Sequence, residues 1–375
     1  MGERWESTRQ YIGTCVITGL FLCLSPIQSW AKAPAGASLN LSRDAKLDSL
    51  GPGFVAVADN SGGSIHLNPA GLSNIKQAEI SAFHSSYLLD SRMTALHMAH
   101  PIGKFTLGLG YFSFGVDDLD GRNADGGKTN PFSARDQIAS LSIARPIRST
   151  SLGVTIKMFQ SHLADLKAAT QALDVGLLHN IRRSGLSLGA SLRNIGPGIQ
   201  YTDTKEPLPL TLALGTGYRF SRIPIGLVMG ASRIMATGKT DFSVGVQTTV
   251  SDLLSLRGMY LLPVAGAIPS LQTSGSLVGG FGLKISNNYH FDGSIATMGA
   301  NADLGMVAKF NFTVKFGAIR NARPDRRIIT RSRVNTLEPT AQKLPNTTTQ
   351  NLEDLKTEGT WVLIPQGTMV GFRDE

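Results

Sequence analysis

One short run in this chain has the spacing of a catalytic motif. Gly185-Leu186-Ser187-Leu188-Gly189 matches the nucleophile motif of hydrolases, in which the serine occupies a sharp turn between a strand and a helix. Apolar residues alternate with small or polar ones on both sides of Ser187, which predicts an uninterrupted strand instead of such a turn. The motif therefore does not indicate catalysis, and we expect the protein not to be an enzyme.

Two histidines suggest a metal pair, His97 and His100. Residues three apart on a strand face opposite sides, so these two side chains cannot chelate one ion together. Both cysteines, Cys15 and Cys23, lie near the N-terminus, and the sequence contains neither a P-loop nor a dinucleotide-binding glycine motif at the start of a helix. We therefore expect no metal centre and no cofactor.

Several acidic residues cluster between two predicted strands. Asp117, Asp118 and Asp120 lie in the segment 116–135, close to Gly121 and to further glycines. A calcium-binding loop is one interpretation of this cluster, and a solvated surface loop is the simpler one. The three aspartates are kept as a speculative cation site.

The elements that must position these residues show a regular alternation. Phe105, Leu107, Leu109 and Tyr111 are separated by Thr106 and two glycines, and the same period recurs along the chain up to residue 316. Such alternation is typical of strands with one apolar and one polar face. We predict fourteen strands, near 76–87, 92–101, 104–115, 136–146, 150–161, 170–180, 184–194, 208–219, 223–234, 239–249, 252–262, 275–285, 288–297 and 303–316.

Composition decides which class of β protein this is. Charged residues make up only 17% of the 375, below the ~25% usual in soluble domains. No apolar run of 18 residues follows residue 31, which argues against membrane helices. Tight links alternate with longer ones such as 116–135, 195–207 and 263–274, as in outer-membrane barrels. The sequence therefore predicts an all-β, about 14-stranded antiparallel transmembrane barrel over 76–317, with a soluble two-sheet sandwich as the alternative.

Orientation and charge add two expectations. An even strand number puts both ends of the barrel on one side of the membrane, which we predict to be the periplasm, with the long loops extracellular. The net charge is +9, but the basic residues are not interleaved with aromatic ones in one patch, so we expect no nucleic-acid binding. The partner expected from this composition is outer-membrane lipid.

The first 31 residues have the three parts of a secretory signal. Arg4 and Arg9 precede an apolar core from Tyr11 to Leu24, and Ser29-Trp30-Ala31 predicts a cut after Ala31. A lipoprotein signal at Cys23 and a retained N-terminal anchor are the alternatives. The preferred interpretation is a cleaved signal peptide and a cell outer-membrane location.

Two segments flank the predicted barrel. Residues 32–75 are too few to form a core alone, and a plug or hatch inside the barrel would bury them. Residues 318–375 begin with an arginine-rich run and continue with a Pro/Thr/Asn/Gln stretch, typical of a flexible linker. We predict a basic periplasmic tail, either solvated or in contact with peptidoglycan or a partner protein.

Three blocks resemble the PorV/PorQ-type outer-membrane proteins, relatives of the FadL-type (OmpP1/FadL/TodX) transporters of hydrophobic compounds. The first block is 53–72, the second is 191–215, and the third comprises Gly280 to Leu283, Tyr289 and Phe310 to Phe316. Carried over from the first block as plug or hatch residues are Phe54, Asp59, Asn68, Pro69, Gly71 and Leu72. Carried over from the second as structural motif residues are Asn194, Gly196, Pro207 and Pro209.

The resemblance implies a fourteen-stranded barrel with an N-terminal hatch, in agreement with the strand count. It implies either of two functions. FadL-type barrels pass hydrophobic small molecules across the outer membrane, and PorV-type barrels serve type IX protein secretion by receiving or anchoring cargo or machinery. The chain departs from the family at Asp59-Asn60, where two acids are common, at Pro52, and in the tail that follows Phe316.

Overall fold

The computed structural model describes residues 34–319, except for 88–89, 124, 182–183, 263–275 and 298–304, together with two short strands at 360–363 and 369–372. The predicted signal peptide over 1–31 and most of the predicted tail over 318–375 lie outside the described residues. The two short strands, β17 (Thr360–Leu363) and β18 (Met369–Phe372), pair antiparallel with each other in a separate unit.

The remaining strands form one closed barrel and one small hairpin. Fourteen strands close the barrel by antiparallel pairing of neighbours, with the first paired to the last, as the alternation predicted. In chain order they are β1 (Ala78–Ser86), β2 (Arg92–Ile102), β3 (Phe105–Leu119), β4 (Phe132–Ile147), β5 (Thr150–Leu163), β6 (Leu166–Ile181), β7 (Leu186–Ile195), β10 (Thr211–Arg219), β11 (Ile225–Ile234), β12 (Thr240–Thr249), β13 (Leu254–Leu262), β14 (Leu277–Lys284), β15 (Tyr289–Thr297) and β16 (Met306–Phe316). The hairpin is β8 (Ile199–Gln200) with β9 (Lys205–Glu206).

The alternation in sequence becomes an alternation of faces. On β3, Leu109 and Tyr111 are about half exposed on the outer face. Thr106, which lies nearer the link 103–104, is fully buried inside. On β16, Phe310 and Phe312 face outward while Lys309 and Asn311 are buried inside. The outer wall is thus apolar and the inner wall largely polar or small, which is the pattern of a barrel that crosses a membrane.

The two ends of the barrel differ in their links. We call the turn end the one whose links are 103–104, 148–149, 182–185, 220–224, 250–253 and 285–288. The loop end carries the links 87–91, 120–131, 164–165, 196–210, 235–239, 263–276 and 298–305. Ala78 pairs with Phe316, so the barrel begins and ends at the turn end.

One link corrects the predicted short–long series. β5 and β6 were expected to be joined by a longer link, but they pair as far as Leu163 and Leu166 and are joined by the tight turn 164–165. The reason is that β3 to β6 run several residues further toward the loop end than predicted, and β5 and β6 stay paired through His162 with Lys167 and Leu163 with Leu166.

Residues 34–77, here called the inner segment, form short helical turns. They are α1 (Ala45–Asp48), α2 (Ser61–Leu67) and three 3₁₀ turns at Ala37–Asn40, Gly51–Ala56 and Pro69–Asn74. Side chains cap three of these elements: Asp44 accepts from the Leu47 amide, Asn60 from the Gly63 amide and Asn68 from the Ala70 amide. Among the described residues, no helix has the length and apolarity needed to cross a membrane.

The inner segment touches the inner wall around most of its circumference. α1 contacts β14 to β16, the turn 51–56 contacts β7 and β10 to β12, α2 contacts β1 to β3, and the turn 69–74 contacts β3 to β6. Ala35 donates to the Pro207 carbonyl at the loop end, and Gln77 donates to Gly317 at the turn end. The segment therefore runs inside the barrel from the loop end to the turn end.

Candidate functional site

The inner wall carries glycines where the inner segment approaches it most closely. A Cβ atom on Gly176 would lie 2.1 Å from Asn68 Oδ1, and one on Gly189 would lie 2.1 Å from the Val55 carbonyl oxygen. On the opposite side of the same turn, a Cβ on Gly230 would lie 2.3 Å from the Gly53 nitrogen. These distances are far below van der Waals contact, so only glycine allows the segment to lie this close to the wall.

The Asn-Pro-Ala-Gly-Leu block joins two turns of the inner segment to the wall. Asn68 Nδ2 donates to the Val55 carbonyl at 2.8 Å and to the Leu177 carbonyl of β6 at 3.0 Å. Pro69 occupies the first position of the following turn, where a missing N–H costs nothing. Gly71 packs so tightly that a Cβ would lie 2.3 Å from the Ala58 carbonyl oxygen.

The other carried-over residues of this block differ in environment. Leu72 is fully buried against Ile65 and inward residues of the wall. Phe54 is fully buried, with its ring against Gly63. Asp59 is partly exposed toward the turn end and forms a 2.7 Å ion pair with Lys46. None of these residues lines the cavity around Arg193 that is described below, and Asp59 lines the three cavities at the turn end instead.

The second block fixes the link 196–210 to the inner segment. Asn194 has φ 62°, a left-handed conformation that asparagine tolerates, and its Nδ2 donates to Asn40 Oδ1 and to the Pro209 carbonyl, each at 3.0 Å. Pro207 accepts from Ala35 at 3.1 Å. Gly196 has no room for a Cβ, which would lie 2.4 Å from the Gln171 carbonyl oxygen.

Asn194 also belongs to a buried charged cluster. Lys157 pairs with Asp174 and donates to Asn194 Oδ1 at 2.9 Å, and the Asn194 amide donates to Asp174. Arg43 and Arg193, both buried, lie within electrostatic range of the same carboxylate. Three cations therefore surround one carboxylate.

Arg43 and Arg193 use their guanidinium groups differently. Arg43 lies over the Phe112 ring at 4.5 Å and donates to the Leu39 carbonyl at 3.1 Å. Arg193 Nε and Nη1 are buried without a hydrogen-bond partner among the described residues. A buried cation that lacks partners is costly, so an anion from outside the chain would find unused donors at Arg193.

Arg193 lines a cavity between the inner segment and β11 to β16, toward the loop end, here called the upper cavity. The cavity has a volume of about 110 Å³. Its apolar lining is Leu47, Leu67, Met259, Leu261, Val278 and Ala296, and its polar lining includes His66, Asp48, Lys309 and Asp241. A dry cavity of roughly 150 Å³ takes up benzene, so this smaller one has room for part of a ring or a short stretch of alkyl chain.

His66 and Lys309 settle the charge of the cavity lining. Burial, with help from nearby Arg43 and Arg193, holds the pKa of His66 well below its ordinary value, so the imidazole is neutral. Lys309 is neutralised by its ion pair with Asp48, and the Asp241 carboxylate is paired with Lys239 at 3.4 Å. Arg193 is consequently the cation in this lining whose donors are free.

On the turn-end side of the inner segment, the barrel lumen is lined by more charged side chains. Three larger cavities of about 540, 310 and 340 Å³ have charged side chains in their linings, among them Lys46, Asp59, Arg219 and Arg257. No residue that lines the upper cavity lines any of these. The inner segment thus lies between the upper cavity, which forms an apolar chamber at the loop end, and the three turn-end cavities, which together form a polar vestibule.

The structure does not bring together the serine, histidines and aspartates that the sequence offers as candidates for catalysis or metal binding. Ser187 lies within β7 and donates to the Gly217 carbonyl, and His97 and His100 lie on opposite faces of β2. Asp117 points outward and is held by Arg135, Asp120 is exposed, and the side chain of Asp118 lies outside the described residues. In the described part of the chain, no three His, Cys, Asp or Glu side chains could together hold a metal ion.

Two solved structures are similar to this architecture. The toluene transporter TodX of P. putida superposes with a TM-score of 0.52 at 11% identity, covering 74% of this chain and all of TodX. A FadL homologue of Pseudomonas aeruginosa gives 0.48 at 10% identity, covering 77% of this chain and all of that one. No protein-family model matches the chain, and no curated protein matches it in sequence. The chain therefore shares the fold of TodX.

Proposed function

We propose that this protein is a non-enzymatic, FadL-like outer-membrane channel that binds hydrophobic small molecules in the upper cavity and passes them toward the periplasm. The observation that carries the proposal is the cavity itself: six apolar side chains face one buried arginine with free donors. That combination suits a molecule with an apolar body and an anionic end, because carboxylates take paired N–H donors from arginine.

The apolar outer wall supports an outer-membrane location. Residues such as Leu109, Ile156 and Met229 are half exposed on the outer face at mid-height of the barrel, where acyl chains would cover them. We assign the loop end to the cell exterior and the turn end, where the barrel begins and ends, to the periplasm. In that orientation the apolar chamber faces incoming molecules.

In the same proposal, the inner segment is the hatch that closes the channel. Its bonds to the wall, through Asn68 above all, leave the apolar chamber and the polar vestibule on opposite sides of it. Passage then requires part of this segment to move while the glycine contacts keep the rest seated.

Ligand binding tests the proposal directly. The full chain in nanodiscs is titrated with laurate, dodecanol and toluene by calorimetry. We expect saturable binding, tightest for laurate, and Arg193→Gln should weaken laurate binding by about 10-fold to 100-fold, since hydrogen bonds to a charged group contribute about 1.5–3 kcal/mol. Toluene binding should be unaffected by that change.

Two variants control the experiment. Val278→Trp should weaken binding of all three compounds because the indole fills the chamber. Arg219→Gln removes a cation from the turn-end vestibule and should leave all three affinities unchanged. Absence of saturable binding to the wild-type protein would refute the proposal.

The narrower resemblance to PorV/PorQ-type barrels rests on the sequence blocks alone. A role in a type IX-like secretion system, with contacts to machinery or peptidoglycan through 318–375, remains a prediction from those blocks and from the basic tail. Co-purification of the full chain from mildly solubilised outer membrane separates it from the channel: a secretion component would retain partner proteins.

A further inference from the structure

Outward polar residues form aligned rows on β2, β3 and β4 near the loop end. The strand register places Arg92, Gly115 and Arg135 side by side, with Arg92 opposite Gly115 and Arg135 opposite the same glycine on its other side. One step toward the turn end, Thr94 and Ser113 lie opposite each other on the same outer face. The rows therefore present two guanidinium groups and two hydroxyls on one outward surface.

Gly115 opens a cleft between the two arginines. Neighbouring strands are 4.7–4.9 Å apart, so the Cα atoms of Arg92 and Arg135 are separated by roughly 10 Å across a residue without a side chain. Thr94 and Ser113 line the same cleft, and so do the carboxylates of Asp90 and Asp117. An anion held in this cleft would face both arginines and both hydroxyls.

The arginines are not equally engaged. Arg135 is held by Asp117 through both carboxylate oxygens, at 2.8 and 2.9 Å, with about half of each side chain exposed. Arg92 is exposed and has neither a hydrogen bond nor an ion pair with any described residue. Arg92 therefore supplies a free charge, while Asp117 holds Arg135 in place at the edge of the cleft.

The height of the cleft on the wall identifies the environment it faces. The next outward pair toward the turn end is Leu96 with Tyr111, 52% and 44% exposed, and Leu109 follows at 52%. These residues begin the apolar belt that acyl chains cover. The cleft consequently lies at the level of the lipid headgroups, directly above that belt.

We propose that this cleft binds the phosphate of a phosphorylated glycolipid of the outer leaflet, such as lipid A. Arg92 and Arg135 contact the phosphate, the Thr94 and Ser113 hydroxyls donate to it, and the acyl chains run along Leu96 and Tyr111. Arginine suits this role because its fork of N–H groups matches phosphate oxygens. The assignment to the outer leaflet rests on the orientation proposed above.

Lipid retention by the full chain tests the site. Protein in a neutral detergent is incubated with diphosphoryl lipid A, dephosphorylated lipid A or phosphatidylglycerol, and bound lipid is counted by native mass spectrometry. We expect retention of diphosphoryl lipid A above the other two, and a loss of about 10-fold or more in the double variant Arg92→Gln with Arg135→Gln. Arg92→Lys should retain most of the binding, and Arg148→Gln at the turn end should retain all of it.

Three results would overturn the proposal: unchanged lipid A retention in the double variant, stronger retention of phosphatidylglycerol than of lipid A, or displacement of lipid A by millimolar inorganic phosphate. The last would identify free phosphate as the ligand. Laurate binding in the upper cavity, measured on the same double variant, should equal that of the wild type. Failure of the lipid site is thereby distinguished from failure of the channel.

Discussion

Gly189→Ala should destabilise the protein although it adds a single methyl group to a strand. The new Cβ would lie 2.1 Å from the Val55 carbonyl oxygen, 2.5 Å from its carbon and 2.7 Å from Ala56 Cα. All three atoms belong to the backbone of the inner segment, so no flexible side chain can move aside. The turn 51–56 must shift by roughly 1.4 Å to restore ordinary contact of about 3.5 Å.

The magnitude follows from two opposing effects. Replacing a strand glycine by alanine ordinarily stabilises a protein by about 0.4–1 kcal/mol, because the unfolded chain loses freedom. Overpacking of a tight interior costs about 1–3 kcal/mol. We expect the second effect to win, with a net loss of about 1–2 kcal/mol.

Gly279→Ala is the matched control. Gly279 lies on the outer face of β14, and a Cβ there would have no atom within 4 Å. Both variants are unfolded in urea from the same lipid or detergent, and their free energies of unfolding are compared. Gly279→Ala should be as stable as the wild type or slightly more so. Equal stability of the two variants would refute the close seating of the inner segment against the wall.

Three further predictions use the same unfolding assay. Asn68→Ala should lower the free energy of unfolding by about 2–3 kcal/mol, since it leaves the buried Val55 carbonyl without its partner and removes the hydrogen bond to the Leu177 carbonyl. A loss below about 0.5 kcal/mol, as for an ordinary surface substitution, would contradict this prediction. Lys157→Met should cost about 3–5 kcal/mol because Asp174 loses its buried ion pair, and adding Asp174→Leu should deepen the loss, since Arg43 and Arg193 then lose the carboxylate they surround. Burial raises the pKa of Asp44 to about 6, so the folded state still holds a proton that the unfolded state releases near pH 4. The free energy of unfolding should therefore fall as pH rises from 4 to 6 and then level off. Asp44→Asn should flatten that part of the stability profile, and an unchanged slope would count against it.

The sequence predicts the wall well because alternation repeats the same physical rule in every strand. All fourteen predicted strands are present, and outward residues such as Leu107 and Phe312 are those that the period-two pattern assigns to the lipid. The strand ends were harder to predict, since β4 and β5 continue through polar residues such as Arg135 and His162 once they leave the apolar belt.

The candidate site was predicted less completely. Lys157, Asp174 and Arg193 lie on three different strands and Arg43 on the inner segment, and their meeting depends on strand register, which alternation does not fix. A signal was nevertheless present: each of the three strand residues is a charge at an inward position of an alternating strand. The carried-over Phe54 and Leu72 pack the inner segment, whereas the cavity lies beside Leu47 and Leu67, which belong to the same buried cluster as Phe54.

Uptake of a hydrophobic anion by intact cells tests the channel most directly. Radiolabelled laurate is supplied to a deletion strain that carries no copy, the wild-type gene or the Val278→Trp variant at equal surface abundance. Loss of uptake in the deletion strain, restoration by the wild type and failure of Val278→Trp to restore it are the results we predict. Equal uptake in all three strains would contradict a channel for hydrophobic molecules.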